Sequence, residues 1–137
     1  MAASSLAGPE PGILPFDQAR RRRVVLRFED FELDPSRFEL RHGGTNVRLA
    51  PKPFDLLWLL VSRQGALVGR DEIRAELWDG ETFVEFDGSV NFCVRVLRKA
   101  LADDARRPRF IQAVRGCGYR FIPPVAVVAE GARQTDP

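Results

Sequence analysis

The stretch GSVNFCVRVLRKALADD, residues 88–104, carries the clearest structural signal in the chain. Its apolar residues recur at spacings of four, three and four, which predicts a helix with one side in the core. These core-facing residues are Val90, Val94, Leu97 and Leu101. We expect the helix to span about 88–102 with Ser89 as its N-cap, because a serine there accepts a hydrogen bond from the first helical turn.

The opposite side of this predicted helix mixes cations with large apolar residues. Its outward-facing residues are Phe92, Arg95, Val96 and Lys99. One interpretation is an ordinary solvated helix, because charged outer faces are the norm, with Phe92 covered by a loop. The other is a surface that reads DNA, because an apolar pair flanked by arginines suits a groove in which thymine methyl groups and phosphates alternate.

The residues before this helix predict short strands followed by two further helices. The segments VVLRFEDFEL, RFELRHG and TNVRLA are rich in β-formers and separated by turn signals, which predicts three or four short antiparallel strands. PKPFDLLWLLVSRQG predicts a buried helix that a proline opens and Gly65 ends. GRDEIRAELWDG predicts a second helix with acidic residues in its first turn, and residues 79–87 a loop.

The residues after the helix predict a hairpin. RFIQAVRGCGYRFIPP contains two β-rich runs around a glycine-rich turn that carries Arg115. Strands, three helices and a hairpin form the plan of an α+β winged helix-turn-helix domain, with an N-terminal antiparallel sheet and a C-terminal wing at about 109–122. We expect Arg115 to reach phosphate or the minor groove, while Tyr119 either donates to a phosphate or packs against the helix.

The charge of the chain is divided unevenly. Residues 24–86 contain 8 basic and 12 acidic residues, whereas residues 87–123 contain 8 basic and 3 acidic residues. The second half of the predicted domain therefore suits a polyanion. We predict a disordered arm at 1–23, a domain at 24–124 and a flexible tail at 125–137. The RRRR run at 20–23 is either a solvated linker or a DNA-contacting arm.

Several classes of protein are disfavoured by composition. No apolar run approaches the length of a membrane span, and the N-terminus lacks the features of a signal peptide. Cys93, Cys117 and the lone His42 form no metal-ligand pattern, so we expect no metal, no cofactor and a reducing cytoplasm around nucleoid DNA. The sequence has neither a phosphate-binding glycine loop nor a nucleophile–base set, so we do not expect an enzyme.

VNFCVRVLRKAL followed by RFIQAVRGCGYRF resembles the DNA-binding domain of the OmpR/PhoB response-regulator class, and also that domain in one-component ToxR/CadC-like regulators. The resemblance covers roughly residues 24–124 and implies a four-stranded N-terminal sheet, three helices and a wing. It implies sequence-specific binding of double-stranded DNA for transcription regulation. It further implies that the 79–87 loop, with Glu81 and Glu85, touches RNA polymerase, and that two copies bind direct repeats head to tail.

The resemblance also implies roles for single residues. Ser89 and Arg98 match phosphate contacts, Arg115 a minor-groove contact and Tyr119 a tyrosine near the backbone. The positions that match base-facing residues are Phe92, Cys93 and Val96. Relatives often have His and Arg at the last two of these and Thr at Ala113, so their base code does not transfer. Cys93 also suits a small core-edge position, because cysteine is often buried.

Two questions about the whole protein stay open at this point. Only 23 residues precede the first predicted strand, too few for a phospho-receiver domain. A complete chain would be an orphan DNA binder, and a fragment would continue after Pro137 into a membrane span and sensor. The alternative function is a protein–protein interaction module that uses the Phe92/Val96 face, because exposed apolar patches commonly bind proteins.

Overall fold

A computed structural model describes residues 24–80 and 82–129, without the side chains of Phe83, Val84 and Ala129. The predicted arm at 1–23 lies outside the described residues. The described part of the chain begins with four short strands, which are β1 Val25–Phe28, β2 Phe31–Asp34, β3 Glu39–His42 and β4 Thr45–Val47. Each strand pairs antiparallel with the next, as predicted. Gly43 and Gly44, both at positive φ, make the tight turn between β3 and β4.

A fifth strand completes this sheet from the far end of the chain. Strand β8, Ala126–Ala129, pairs antiparallel with β1 and gives the order β4-β3-β2-β1-β8. The predicted flexible tail from residue 125 is therefore wrong for this segment. The backbone of β1 offers an unpaired edge, and the residues after Pro124 reach that edge once the wing has turned the chain back toward the sheet.

Two helices follow the first four strands. Helix α1, Pro51–Ser62, begins with prolines and is buried along most of its length, as predicted. Strand β5, Leu67–Gly69, leads directly into helix α2, Arg70–Leu77, which has Asp71 and Glu72 in its first turn.

Helix α3, Phe83–Leu101, is the helix predicted from the opening stretch, but it begins earlier than expected. Thr82 is its N-cap and forms a capping box with Glu85, so the predicted N-cap Ser89 lies inside the helix. Most of the predicted 79–87 loop therefore belongs to the helix. The core-facing side is confirmed, because Val90, Val94, Leu97 and Leu101 are all buried.

The predicted hairpin is confirmed as β6, Ile111–Val114, and β7, Gly118–Phe121. Strand β5 pairs with β7, which makes the wing a three-stranded sheet in the order β5-β7-β6. Aromatic rings join the wing to the N-terminal sheet. The ring of Phe28 lies 4.8 Å from that of Phe121 and 6.1 Å from that of Phe110, both in edge-on geometry. Sheet, helices and wing therefore share one hydrophobic core.

Candidate nucleic-acid interface

The outward face of helix α3 has the mixed character that the sequence predicted. Phe92 is 55% exposed, the largest exposure among the large hydrophobic residues of the described chain. The guanidinium carbon of Arg95 lies 5.9 Å from the centre of the Phe92 ring, within the range of a cation–π contact. Arg95 and Lys99 are exposed, and Val96 and Ser89 are half-buried on the same side. This face therefore combines cationic donors with an apolar surface.

The wing presents a third exposed cation. Arg115 is exposed in the turn between β6 and β7, and Gly116 beside it has a φ of 74°. Positive φ suits glycine, so the turn is tight and keeps Arg115 at the tip of the wing.

Cys93 does not belong to the outward face. It is 3% exposed and lies in the core cluster, which corrects the expectation that it faces bases and agrees with the core-edge interpretation. Burial raises the pKa of the Cys93 thiol to about 11, and the neighbouring Asp55 adds to this while Lys52 opposes it. The side chain is thus a neutral thiol near neutral pH.

Arg98 is also used inside the protein. Its Nη2 donates to the carbonyl oxygen of Ile111 at 2.9 Å, and its Nε lies 3.9 Å from an oxygen of Asp103. The Arg98 side chain is only 16% exposed, so the structure gives it internal partners in place of the expected outward position. The Asp103 side chain is fully buried and accepts N–H bonds from Arg109, Phe110 and Ile111, which fixes the link between helix α3 and β6.

Tyr119 packs against helix α3, which was one of its two expected positions. It is 6% exposed, and its hydroxyl donates to Asn91 Oδ1 at 3.4 Å and accepts from Arg70 Nη1 at 3.3 Å. Neither Arg70 nor Asn91 was identified from the sequence as a partner of Tyr119. The spacing of Asp87, Asn91 and Arg98 by four and seven residues is the signal that places these polar residues on one side of the helix.

Of the two residues expected to touch RNA polymerase, Glu81 and Glu85, the structure describes Glu85. Glu81 lies outside the described residues. Glu85 is exposed in the first turn of helix α3, where its carboxylate accepts a hydrogen bond from the N–H of Thr82 at 3.4 Å. Glu85 therefore has a structural role as part of the capping box.

Neither a metal centre nor a membrane helix is evident within residues 24–80 and 82–129. In this part of the chain no three His, Cys, Asp or Glu side chains are grouped as metal ligands. Across the same residues no helix has both the length and the apolar character needed to cross a membrane.

Residues 44–121 match a family described as the C-terminal domain of transcriptional regulatory proteins. The transcriptional activator protein IrlR of Burkholderia pseudomallei is 40% identical over 99 residues, which are 72% of this chain and 42% of that protein. The chain therefore spans less than half the length of this curated relative.

Solved structures show the same fold. The RstA DNA-binding domain of Klebsiella pneumoniae, solved in complex with the RstA box, superposes with a TM-score of 0.64 at 36% identity, covering 72% of this chain and 96% of that one. The DNA-binding domain of Escherichia coli CadC superposes with a TM-score of 0.65 at 26% identity, covering 78% and 99%. The predicted fold class, α+β winged helix, is thereby confirmed.

Proposed function

Because this chain belongs to the OmpR/PhoB-type family of C-terminal DNA-binding domains of transcriptional regulators, we propose that it recognises a specific duplex DNA sequence and thereby controls transcription. Helix α3 would enter the major groove, and the wing would lie on the adjacent backbone or minor groove. The observation that carries the proposal is the exposed Phe92–Arg95 pair on the outward face of helix α3.

The residues on the outward face of helix α3 and at the tip of the wing divide into base-reading and phosphate-binding groups. We assign Phe92 and Val96 to base edges, where an apolar side chain can contact a thymine methyl group. Arg95, Lys99 and the Ser89 hydroxyl are assigned to phosphates or base edges beside them. Arg115 at the tip of the wing is assigned to the minor groove, whose negative potential attracts arginine.

Two partners complete the proposal. RNA polymerase would contact the short turn before helix α3 together with Glu85, which is exposed in the first turn. A second copy of the chain would bind an adjacent half-site head to tail on a direct repeat.

Selection from a randomised duplex pool, followed by affinity measurements at increasing salt, tests the proposal. We expect a recovered motif, with half-sites separated by about one helical turn if two copies bind. Affinity should fall with salt at a log–log slope of about −0.9 per phosphate neutralised. Weak binding without sequence preference would contradict specific recognition. Absence of binding at low salt would favour the alternative that the Phe92/Val96 face docks a protein.

A further inference from the structure

One side of helix α3, between the core and the outward face, forms a series of polar contacts with the wing. We call this side the polar seam and define it by Asp87, Asn91 and Arg98. Asn91 contacts Tyr119 of β7, and Arg98 contacts the backbone of β6. Asp87 contacts Arg70, whose Nη2 lies 2.6 Å from its Oδ1. The seam thus connects the helix to the wing at several points along its length.

Arg70 links two of these connections, because it bonds both Asp87 of helix α3 and Tyr119 of the wing. Its backbone N–H donates to the carbonyl oxygen of Cys117 in the wing turn at 2.9 Å. Its guanidinium bonds Asp87 on helix α3 and the hydroxyl of Tyr119 on the wing, and its Cζ lies 5.4 Å from the centre of the Phe86 ring. Arg70, the first residue of helix α2, is therefore bonded to the wing turn through its backbone and to both helix α3 and the wing through its side chain.

We propose that Arg70 is a positioning residue for DNA recognition, which fixes the wing against helix α3 so that both elements meet the duplex as one rigid unit. This inference rests on the proposed function. Helix and wing enter neighbouring parts of the duplex, so their separation must match the spacing of the grooves. Binding sites lose effectiveness when a supporting contact lets a group move by about 1 Å.

The local charges argue against a direct phosphate contact by Arg70. Its side chain is 31% exposed and is already paired with Asp87, whose side chain is 60% exposed. Burial lowers the pKa of the Arg70 guanidinium, but hydrogen bonds to Asp87 and Tyr119 outweigh this and raise the pKa, so the guanidinium stays charged. A phosphate at this place would also meet the carboxylate of Asp87. The hydroxyl of Tyr119 is likewise engaged within the protein, by Arg70 and by Asn91 of the polar seam. We therefore assign Tyr119 to this contact and not to a phosphate.

Hydrogen exchange in the free protein tests the positioning role without DNA. The variants are Arg70→Gln and Tyr119→Phe. The control is Arg63→Gln, which removes another arginine–carboxylate pair, with Glu72, at a similar side-chain exposure of 25%. We expect amides of residues 112–120 to exchange about tenfold faster in the first two variants, relative to the amides of helix α1 in the same sample. Exchange at the wild-type rate in the wing would overturn the proposal.

Affinity for the selected duplex and for a random duplex gives the second readout. Arg70→Gln should lower the ratio of the two affinities about tenfold and leave the salt slope on random DNA unchanged. The double variant with Tyr119→Phe should lose less than the sum of the two single losses, because both changes break the Arg70–Tyr119 bond and only Tyr119→Phe also removes the bond to Asn91. Equal losses on both duplexes with a slope flatter by about 0.9 would make Arg70 a phosphate contact and overturn the proposal. If the wild type prefers no duplex, the proposed function fails, while the exchange of the wing amides still decides the role of Arg70.

Discussion

Gly118 is required by the close approach of two backbones. A Cβ at this position would lie 2.0 Å from the carbonyl oxygen of Val68 and 2.9 Å from Cα of Gly69, closer than real Cβ contacts. Any side chain at residue 118 would collide with the backbone of β5 and prevent β5 and β7 from pairing at this point. The second glycine of the sequence RGCGY is thus needed because the wing sheet leaves no room for a side chain at this position.

Gly118→Ala should therefore lower the free energy of unfolding by about 1–3 kcal/mol or more, as overpacking does, when measured by urea denaturation. Gly88→Ala is the matched control, since nothing lies within 4 Å of its added Cβ and the residue is inside helix α3. Alanine should stabilise that position by about 0.5–1 kcal/mol. If both variants were equally stable, the close approach at Gly118 would carry no cost.

The two cysteines should differ in reactivity, because thiolates react and thiols do not. Cys117 is exposed in the wing turn, whereas Cys93 is buried and burial raises the pKa of its thiol to about 11. An alkylating reagent at pH 8 should label Cys117 in the folded protein and leave Cys93 unmodified, as read by mass spectrometry of peptides. The urea-unfolded chain, with both residues labelled, is the control. Equal rates in the folded protein would contradict the burial of Cys93.

The same pKa shift makes stability depend on pH. The folded pKa of Cys93 lies above the unfolded value of about 8.5, so the folded state retains the proton longer. Stability from this thiol is complete below about pH 8.5 and is lost as pH rises toward 11. The free energy of unfolding should therefore fall more steeply over this range in the wild type than in Cys93→Ala. Parallel curves would mean that Cys93 does not titrate differently on folding.

Phe92→Ala tests base reading at a single residue. It should weaken binding to the selected duplex by roughly 1–3 kcal/mol and change binding to random DNA little, because an apolar contact to a base edge exists only at the correct sequence. Phe38→Ala is the control, since Phe38 is 38% exposed but belongs neither to helix α3 nor to the wing and stacks on Phe54 of helix α1. Equal losses on both duplexes after Phe92→Ala would remove this residue from base reading.

At the scale of an element, the start of helix α3 shows how local signals compete. The Asp87-Gly88 pair is a turn signal and favoured a loop up to that point. The residues Thr82 and Glu85 form the opposing signal of a capping box, and buried Phe86 extends the apolar side toward the N-terminus. Glycine inside a helix costs about 1 kcal/mol, which this burial and the cap offset. The core-facing side was predictable because its apolar residues recur at a regular helical spacing over three turns.

Thr82→Ala should lower the free energy of unfolding by about 0.5–2 kcal/mol, because it removes the side chain that accepts the N–H of Glu85. Ser89→Ala, at the N-cap expected from the sequence, should change stability by much less, since this residue lies inside the helix. Thermal unfolding followed by circular dichroism measures both. A larger loss at Ser89 than at Thr82 would restore the later start of the helix.

Strand β8 could not be predicted for a different reason. Four small and apolar residues after two prolines give no period of their own, and their strand exists only because β1 offers them an edge. The contacts of Arg98 were hidden in the same way. The resemblance matched Arg98 to a phosphate contact, but only the folded wing brings the carbonyl oxygen of Ile111 within reach of its guanidinium.

For the whole molecule, strand β8 should contribute to the stability of the entire core. A chain ending at Pro124 should lose about 1–3 kcal/mol of unfolding free energy, because β1 loses the hydrogen bonds of its outer edge and half-buried Val125 no longer packs on the core. A chain ending at residue 129 keeps the strand and is the control. Equal urea midpoints for the two chains would mean that the fifth strand adds no stability.

The pairing of β1 with β8 also determines how the domain responds to a pull. Because Val25 lies opposite Ala129, the chain enters and leaves the sheet side by side at the same end. Tension applied through both termini would peel the two strands apart one hydrogen bond at a time, as a zipper opens. A pull from opposite ends of the two strands would instead shear them and would have to break all of these hydrogen bonds at once. A force applied through either end of the domain therefore acts on the same place, the paired ends of β1 and β8. We expect mechanical unfolding to begin there.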